Sequence, residues 1–152
     1  MHFYNLIKDL SNKKDLIMFV DMDGVIASYD AGKPLDFPNK RPLMDNIKKF
    51  EEISNLSNVE LHILSICRKD FQIEEKNTWL DKYAPFFNKE NRNILSKETY
   101  TGFSTSELKT NYLNSIKTNK QVVLIDDDNS VLKKVMESVP GIIVFQDSEL
   151  ID

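Results

Sequence analysis

The sequence is short of several features that would narrow its chemistry at once. It holds one cysteine, Cys67, and two histidines, His2 and His62, in 152 residues. A lone cysteine excludes an internal disulfide and fits a cytoplasmic home. Neither histidine has neighbours that suggest catalysis. Residues 2–14 are polar-mixed, and the apolar run that follows, Leu16-Ile17-Met18-Phe19-Val20, is five residues long, so neither a cleavable leader nor a membrane span is expected. Positive charge is not in excess: the formal net charge is −4, which gives no global pull toward nucleic acid or an anionic membrane. Internal repeats, low-complexity tracts and linkers are missing as well, so one domain over residues 1–152 is expected. With 41% hydrophobic and 29% charged residues, the chain has the material for a proper core.

What is present is strand–helix alternation. Residues 2–11 carry Phe3, Leu6, Ile7 and Leu10 on one helical face. The run at 16–20 is apolar at consecutive positions, as in a strand buried on both faces. Residues 26–41, with Gly32, Pro34 and Pro38, read as a loop or small hairpin flap. A helix is expected from Pro42 (Leu43, Ile47, Phe50, Ile53), then a strand from Val59 to Leu64 that runs into Ser65-Ile66-Cys67-Arg68. A helix over 72–83 would bury Ile73, Trp79 and Leu80, and a short strand is expected around 93–95. Thr105 or Ser106 would cap a helix carrying Leu108, Tyr112, Leu113 and Ile116. A strand at 122–125, a helix at 129–138 and a strand at 142–145 complete the series. Such alternation predicts an α/β fold, a three-layer Rossmann-like sandwich on a mainly parallel sheet of about five strands.

In a parallel sheet all strands point their carboxyl ends to one edge, where open α/β sheets place their sites. The residues expected there are Asp21 and Asp23, with Gly24 for a sharp turn, then Ser65, then Asp126, Asp127 and Asp128. Four or five carboxylates on one rim require a counter-charge. Oxygen-only ligands without His or Cys suit a hard cation, Mg²⁺ above all. The Ser65 hydroxyl and the N–H groups after it, beginning with Ile66, suit phosphate oxygens. Lys109, expected in the first turn of the helix before the last acidic strand, would complete a phosphoryl site. Asp128 is expected to cap the next helix. Arg68 either reaches a substrate phosphate or second charged group, or is a surface arginine. Lys40, Arg41, Lys48, Lys49, Arg68 and Lys69 are unevenly spread and form either a local basic patch or ordinary solvated surface, the latter being preferred for the lysines on the helix after Pro42.

Together these motifs resemble the haloacid dehalogenase-like superfamily of phosphohydrolases over the chain from residue 16 on. Asp21-Met22-Asp23-Gly24-Val25 resembles its first motif, Leu64-Ser65 its second, Lys109 its third and Leu124-Ile125-Asp126-Asp127 its fourth. The resemblance implies that Asp21 is a nucleophile forming an aspartyl-phosphate and that Asp23 is general acid and then base. It implies that Ser65 holds a phosphoryl oxygen and that Lys109 neutralises Asp21 and the phosphoryl group. Asp126 and Asp21, with the backbone carbonyl of Asp23, would hold Mg²⁺, and Asp127 would assist from a second shell or through water. Lys76, in Glu75-Lys76-Asn77-Thr78-Trp79-Leu80, stands where the deoxyribonucleotidase branch carries its lysine. Lys109 is preferred for that role, and Lys76 is otherwise a solvated helix position.

Neither residues 25–41 nor residues 68–107 leave room for a folded insertion, so no cap domain is expected. The layout is similar to the capless phosphatase domain of phage polynucleotide kinase. That implies a nucleotide or nucleic-acid end as substrate, or a homo-oligomer in which a neighbouring subunit closes an open site. The competing reading is a phosphorylation- or metal-binding module without turnover, since Ile125-Asp126-Asp127-Asp128 followed by a helix also resembles the opening of a receiver domain. A receiver carries most of its fold after that cluster, whereas 24 residues follow Asp128.

Overall fold

The computed structural model describes residues 2–29, 32 and 36–151, so Pro34 lies outside the described residues. The chain is an α/β sandwich built on a five-stranded, all-parallel sheet. The elements in order are α1 (His2–Lys13), β1 (Leu16–Val20), α2 (Met44–Ser54), β2 (Val59–Cys67) and α3 (Phe71–Tyr83), then β3 (Arg92–Ser96), α4 (Thr105–Ser115), β4 (Gln121–Asp126), α5 (Asn129–Ser138) and β5 (Ile143–Gln146). The strand order is β3-β2-β1-β4-β5. No described helix is long and apolar enough to cross a membrane.

The central strand shows why its sequence is apolar throughout. Leu16, Met18 and Val20 pack with Phe3, Ile7, Phe50, Trp79 and Leu80 of α1, α2 and α3 on one side of the sheet. Ile17 and Phe19 point the other way, to Leu113, Val131 and Val135 of α4 and α5. Both faces of β1 are therefore covered, and all five side chains are buried. At ~1.5–3 kcal/mol for each large side chain removed from water, burial of all five anchors this strand firmly in the core. The chain leaves β1 toward β2 and β3, then returns to the other flank of β1 as β4. The carboxyl ends of β1 and β4 thus lie side by side at the reversal, with Val20 opposite Ile125, the position where such sheets open a crevice.

Two helix starts differ from expectation, each for a local reason, and the burial of one side chain differs as well. The helix expected from Pro42 starts at Met44, because Pro42 bridges antiparallel to Ala27 and the Leu43 N–H donates to the Ile26 carbonyl at 2.8 Å. That short bridge ties the loop after β1 to the body of the fold. Helix α4 is capped by Ser104 and not by Thr105 or Ser106. Its hydroxyl accepts from the Glu107 N–H while the Glu107 carboxylate accepts from the Ser104 N–H, both at 3.1 Å, a reciprocal capping box. Lys109 consequently falls just past the first turn. Ile73, expected to be buried, is only partly so. Residues 36–43 hold a short 3-10 turn and a bridge, and residues 84–104 hold β3 and short turns, so no cap domain stands over the sheet edge among the described residues.

Because α4 carries Lys109, its cap bears on the site as well as on stability. Replacing Ser104 by alanine should lower stability by about 1 kcal/mol, measured as a lower urea midpoint with an unchanged slope.

Candidate active site

Asp21 follows β1 directly, and its N–H donates to the Ile125 carbonyl at 3.0 Å, so the carboxylate stays on the sheet edge beside Asp126. The chain then coils tightly. The Met22 carbonyl accepts from the N–H groups of Val25, Ile26 and Ala27 at 3.2, 3.0 and 2.9 Å, and Met22, Val25 and Ile26 are wholly buried. Gly24 has φ +82°, a conformation that suits glycine. A Cβ at that position would fall on the Asp127 carboxylate. The glycine therefore serves two needs at once, the turn and the close approach of Asp127.

One ammonium group serves a cluster of three carboxylates. Lys109 is 3% exposed, and its Nζ lies 2.6 Å from Asp126 Oδ2 and 3.1 Å from Asp21 Oδ1. The other Asp126 oxygen accepts from the Asp128 N–H at 3.0 Å. Oxygens of Asp21, Asp126 and Asp127 all fall within 4.8 Å of one another. Burial pushes the Asp21 carboxyl well above its ordinary value; Lys109 opposes this and Asp126, Asp23 and Asp127 reinforce it. Asp127 is pushed up to about 6, first by burial and then by Asp126. Burial would lower the Lys109 pKa, yet Asp21 and Asp126 hold its ammonium well above the usual range. The cluster keeps unbalanced negative charge, and its all-oxygen donor set is chemically suited to a hard divalent cation.

Asp23 turns away from that cluster. Its carboxylate sits between Lys40, at 3.0 Å, and Lys76, at 3.3 Å. Lys76 is not the solvated helix residue it was otherwise expected to be: it is 2% exposed and also donates to Ser65 Oγ at 2.6 Å and the Ile66 carbonyl at 3.1 Å. Burial would raise the Asp23 pKa, but Lys76 and Lys40 together hold it below the ordinary carboxylate range. Lys109 thus pairs with Asp21 and Asp126, and Lys76 with Asp23. Ser65 is fully buried, and its hydroxyl oxygen accepts the hydrogen bond from the Lys76 ammonium; Ile66 lines the adjoining cavities. Arg68 is exposed at the mouth of the smaller one. Asp128 caps α5 as expected, accepting from the Ser130 N–H at 2.9 Å.

Two cavities meet over Asp23, Tyr29 and Ile66. The larger, about 400 Å³, is lined by Asp21, Lys109, Asp126, Asp127 and Thr105 among others. The smaller, about 120 Å³, adds Lys40, Lys76, Arg68, Gln72 and Phe37. Sequence reasoning missed Tyr29, Thr105 and above all Lys40, which is not solvated surface but 7% exposed. Its carbonyl accepts from the Trp79 indole N–H at 3.0 Å, and its ammonium donates to the Ser28 carbonyl at 3.2 Å. The one available signal was its place between Pro38 and Pro42, which restricts the backbone that carries it.

The pH dependence of stability follows from Asp127. A carboxyl whose folded pKa is near 6 and whose unfolded value is near 3.8 binds more protons folded than unfolded between those limits. Its burden on stability is therefore absent below the lower value and complete above the upper one. In metal-free buffer, Asp127→Asn should be more stable than the parent at pH 7.5, and the gap in urea midpoint should close as the pH falls through 6 toward 4. No protein-family model matches the chain, and no curated protein matches it.

Proposed function

We propose that this protein is a Mg²⁺-dependent phosphatase of the haloacid dehalogenase-like kind, which hydrolyses a phosphate monoester through an aspartyl-phosphate. The observation that carries the reading is the pairing of Asp21 and Asp126 through one buried lysine, Lys109, with Asp127 completing the cluster. Asp21 and Asp126, with the backbone carbonyl of Asp23 and support from Asp127, are the groups that would hold Mg²⁺. When bound, the ion would neutralise the carboxylates and the phosphoryl oxygens alike.

The chain's own groups account for the remaining steps. An Asp21 oxygen attacks phosphorus as the bond to the leaving alcohol breaks, and Lys109 stabilises the charge that gathers on the phosphoryl oxygens. Asp23 protonates the leaving oxygen. It then takes a proton from the water that attacks the aspartyl-phosphate, which releases inorganic phosphate and restores Asp21. Before substrate arrives Asp23 is held ionised by Lys40 and Lys76, so its acid role requires those ammonium groups to shift toward phosphoryl oxygens. Opposite environments for two nearby carboxyls are the usual way in which acid, base and nucleophile roles are divided. A nucleotide or nucleic-acid end is the substrate class this reading favours, in a cytoplasmic setting. An edge without a cap suits such an end group, or else closure by a second copy of the chain.

Phosphate release from nucleoside 3′- and 5′-monophosphates should depend on Mg²⁺ and fall by about 10³-fold or more in Asp21→Asn, with circular dichroism and the urea midpoint showing that the variant is folded. Full activity in a folded Asp21→Asn protein would reject the mechanism. Mg²⁺ should also raise the melting temperature of the parent more at pH 7.5 than at pH 5, because ligands must be deprotonated. A rise in melting temperature without phosphate release would favour a binding module without turnover.

A further inference from the structure

The two cavities that meet at Asp23 carry opposite charge. In the larger, the carboxylates of Asp21, Asp126, Asp127 and Asp128 face one ammonium, Lys109. In the smaller, Lys40, Lys76 and Arg68 face one carboxylate, Asp23. Lys40 and Lys76 are buried cations that Asp23 alone cannot balance. The Arg68 guanidinium has no protein partner among the described residues. The nearby acids do not supply one: Asp70 accepts from Thr99 Oγ1 at 3.1 Å, and Glu98 accepts from the Asp70 N–H at 3.1 Å. Gln72 is 3% exposed, and its carbonyl oxygen is taken by the N–H groups of Arg68 and Lys69 at 3.0 and 3.1 Å. Its NH₂ group has no acceptor among the described residues, and Gln72 lines, with the three cations, a space of about 120 Å³.

We propose that this smaller cavity is a second anion subsite, which binds a phosphate carried on the alcohol that the reaction releases. The proposal rests on the phosphatase reading for its direction. Asp23 must face the leaving oxygen, and Asp23 is the wall between the two cavities, so the leaving group extends into the basic one. Charge-assisted contacts to Arg68 and Lys40 then distinguish a substrate with two phosphates from one with a single phosphate. A nucleoside 3′,5′-bisphosphate and an oligonucleotide with a terminal 3′-phosphate share this chemistry, the second anion being a monoester in one and a phosphodiester in the other.

Trp79 is a built-in reporter. It is the one tryptophan in the chain, its indole N–H is bonded to the Lys40 carbonyl, and its ring meets Phe37 of the cavity wall edge-on with centroids 5.7 Å apart. Titrating the Mg²⁺-free protein with inorganic phosphate should shift the Trp79 indole resonance saturably, because without metal the larger cavity repels the anion. Arg68→Gln should weaken that binding by about tenfold. With Mg²⁺, kcat/KM for a nucleoside 3′,5′-bisphosphate should exceed that for the 3′-monophosphate by about tenfold, and the ratio should fall toward one in Arg68→Gln. A higher ratio for the 3′-phosphorylated dinucleotide than for the bisphosphate would identify the phosphodiester as the natural occupant. A flat phosphate titration overturns the subsite, and so do equal rates on singly and doubly phosphorylated substrates that are both hydrolysed. A saturable shift with no hydrolysis of any substrate leaves the subsite standing and overturns the phosphatase reading instead.

Discussion

Everything at the carboxyl edge of the sheet depends on how one buried ammonium is shared. Strand order brings the ends of β1 and β4 together, and Asp21 follows the first while Asp126 ends the second, so the fold itself forces the two into proximity. Two carboxylates at that distance in a water-poor site cannot both stay ionised unless a cation lies between them. Lys109 meets that need from the far layer, reaching Asp126 at 2.6 Å and Asp21 at 3.1 Å. Breaking a buried pair by removing one partner is more damaging than never having built it. The Ser104–Glu107 cap that sets where α4 begins, and the all-apolar β1 that holds Asp21 in place, are therefore part of the same electrostatic arrangement.

The second lysine makes the site asymmetric. Asp21 and Asp23 are two residues apart on one turn, yet burial and neighbouring carboxylates push the first upward, while Lys76 and Lys40 hold the second down. The turn between them produces this split. Three N–H groups converge on the Met22 carbonyl, and Gly24 adopts a positive φ, so the chain reverses within a few residues; Asp21 lines the larger cavity, and Asp23 lines both. A residue with a side chain at Gly24 would displace Asp127 as well as strain the turn.

Most of the architecture was legible in the sequence because a parallel sheet buried on both faces leaves a plain record, consecutive apolar residues ending in polar ones. The acidic strand ends and Ser65 could be assigned to one edge without any coordinates. What was not legible depends on contacts between distant segments. Lys40 and Lys76 look like surface residues because nothing local shows that each meets Asp23. The burial of Lys76 depends on its place in α3 facing β2, and that of Lys40 on a loop pinned by the Trp79 indole. Helix boundaries failed where side chains competed for the same role: Ser104, Thr105 and Ser106 are all plausible caps, and only the reciprocal bond with Glu107 selects the first. Pro42 has the right chemistry for a helix start, but pairing with Ala27 takes precedence.

Net charge is a poor guide to partners when a site separates its charges this sharply. The chain as a whole is acidic, which argues against binding a long polyanion through its general surface. At the sheet edge, however, an acidic cavity suited to a cation and a basic cavity suited to an anion share the wall formed by Asp23, Tyr29 and Ile66. A long nucleic acid needs a basic track many phosphates long, whereas this arrangement concentrates its cations at one point beside Asp21 and Asp23. Under the phosphatase reading, a small phosphorylated group or the end of a chain is the better-matched substrate, and the few positive charges would act where its own charges are closest together. That is also why an uncapped edge suffices under the phosphatase reading. Selectivity would come from the spacing between two charged pockets in the body of the fold, and not from a lid closing over the substrate.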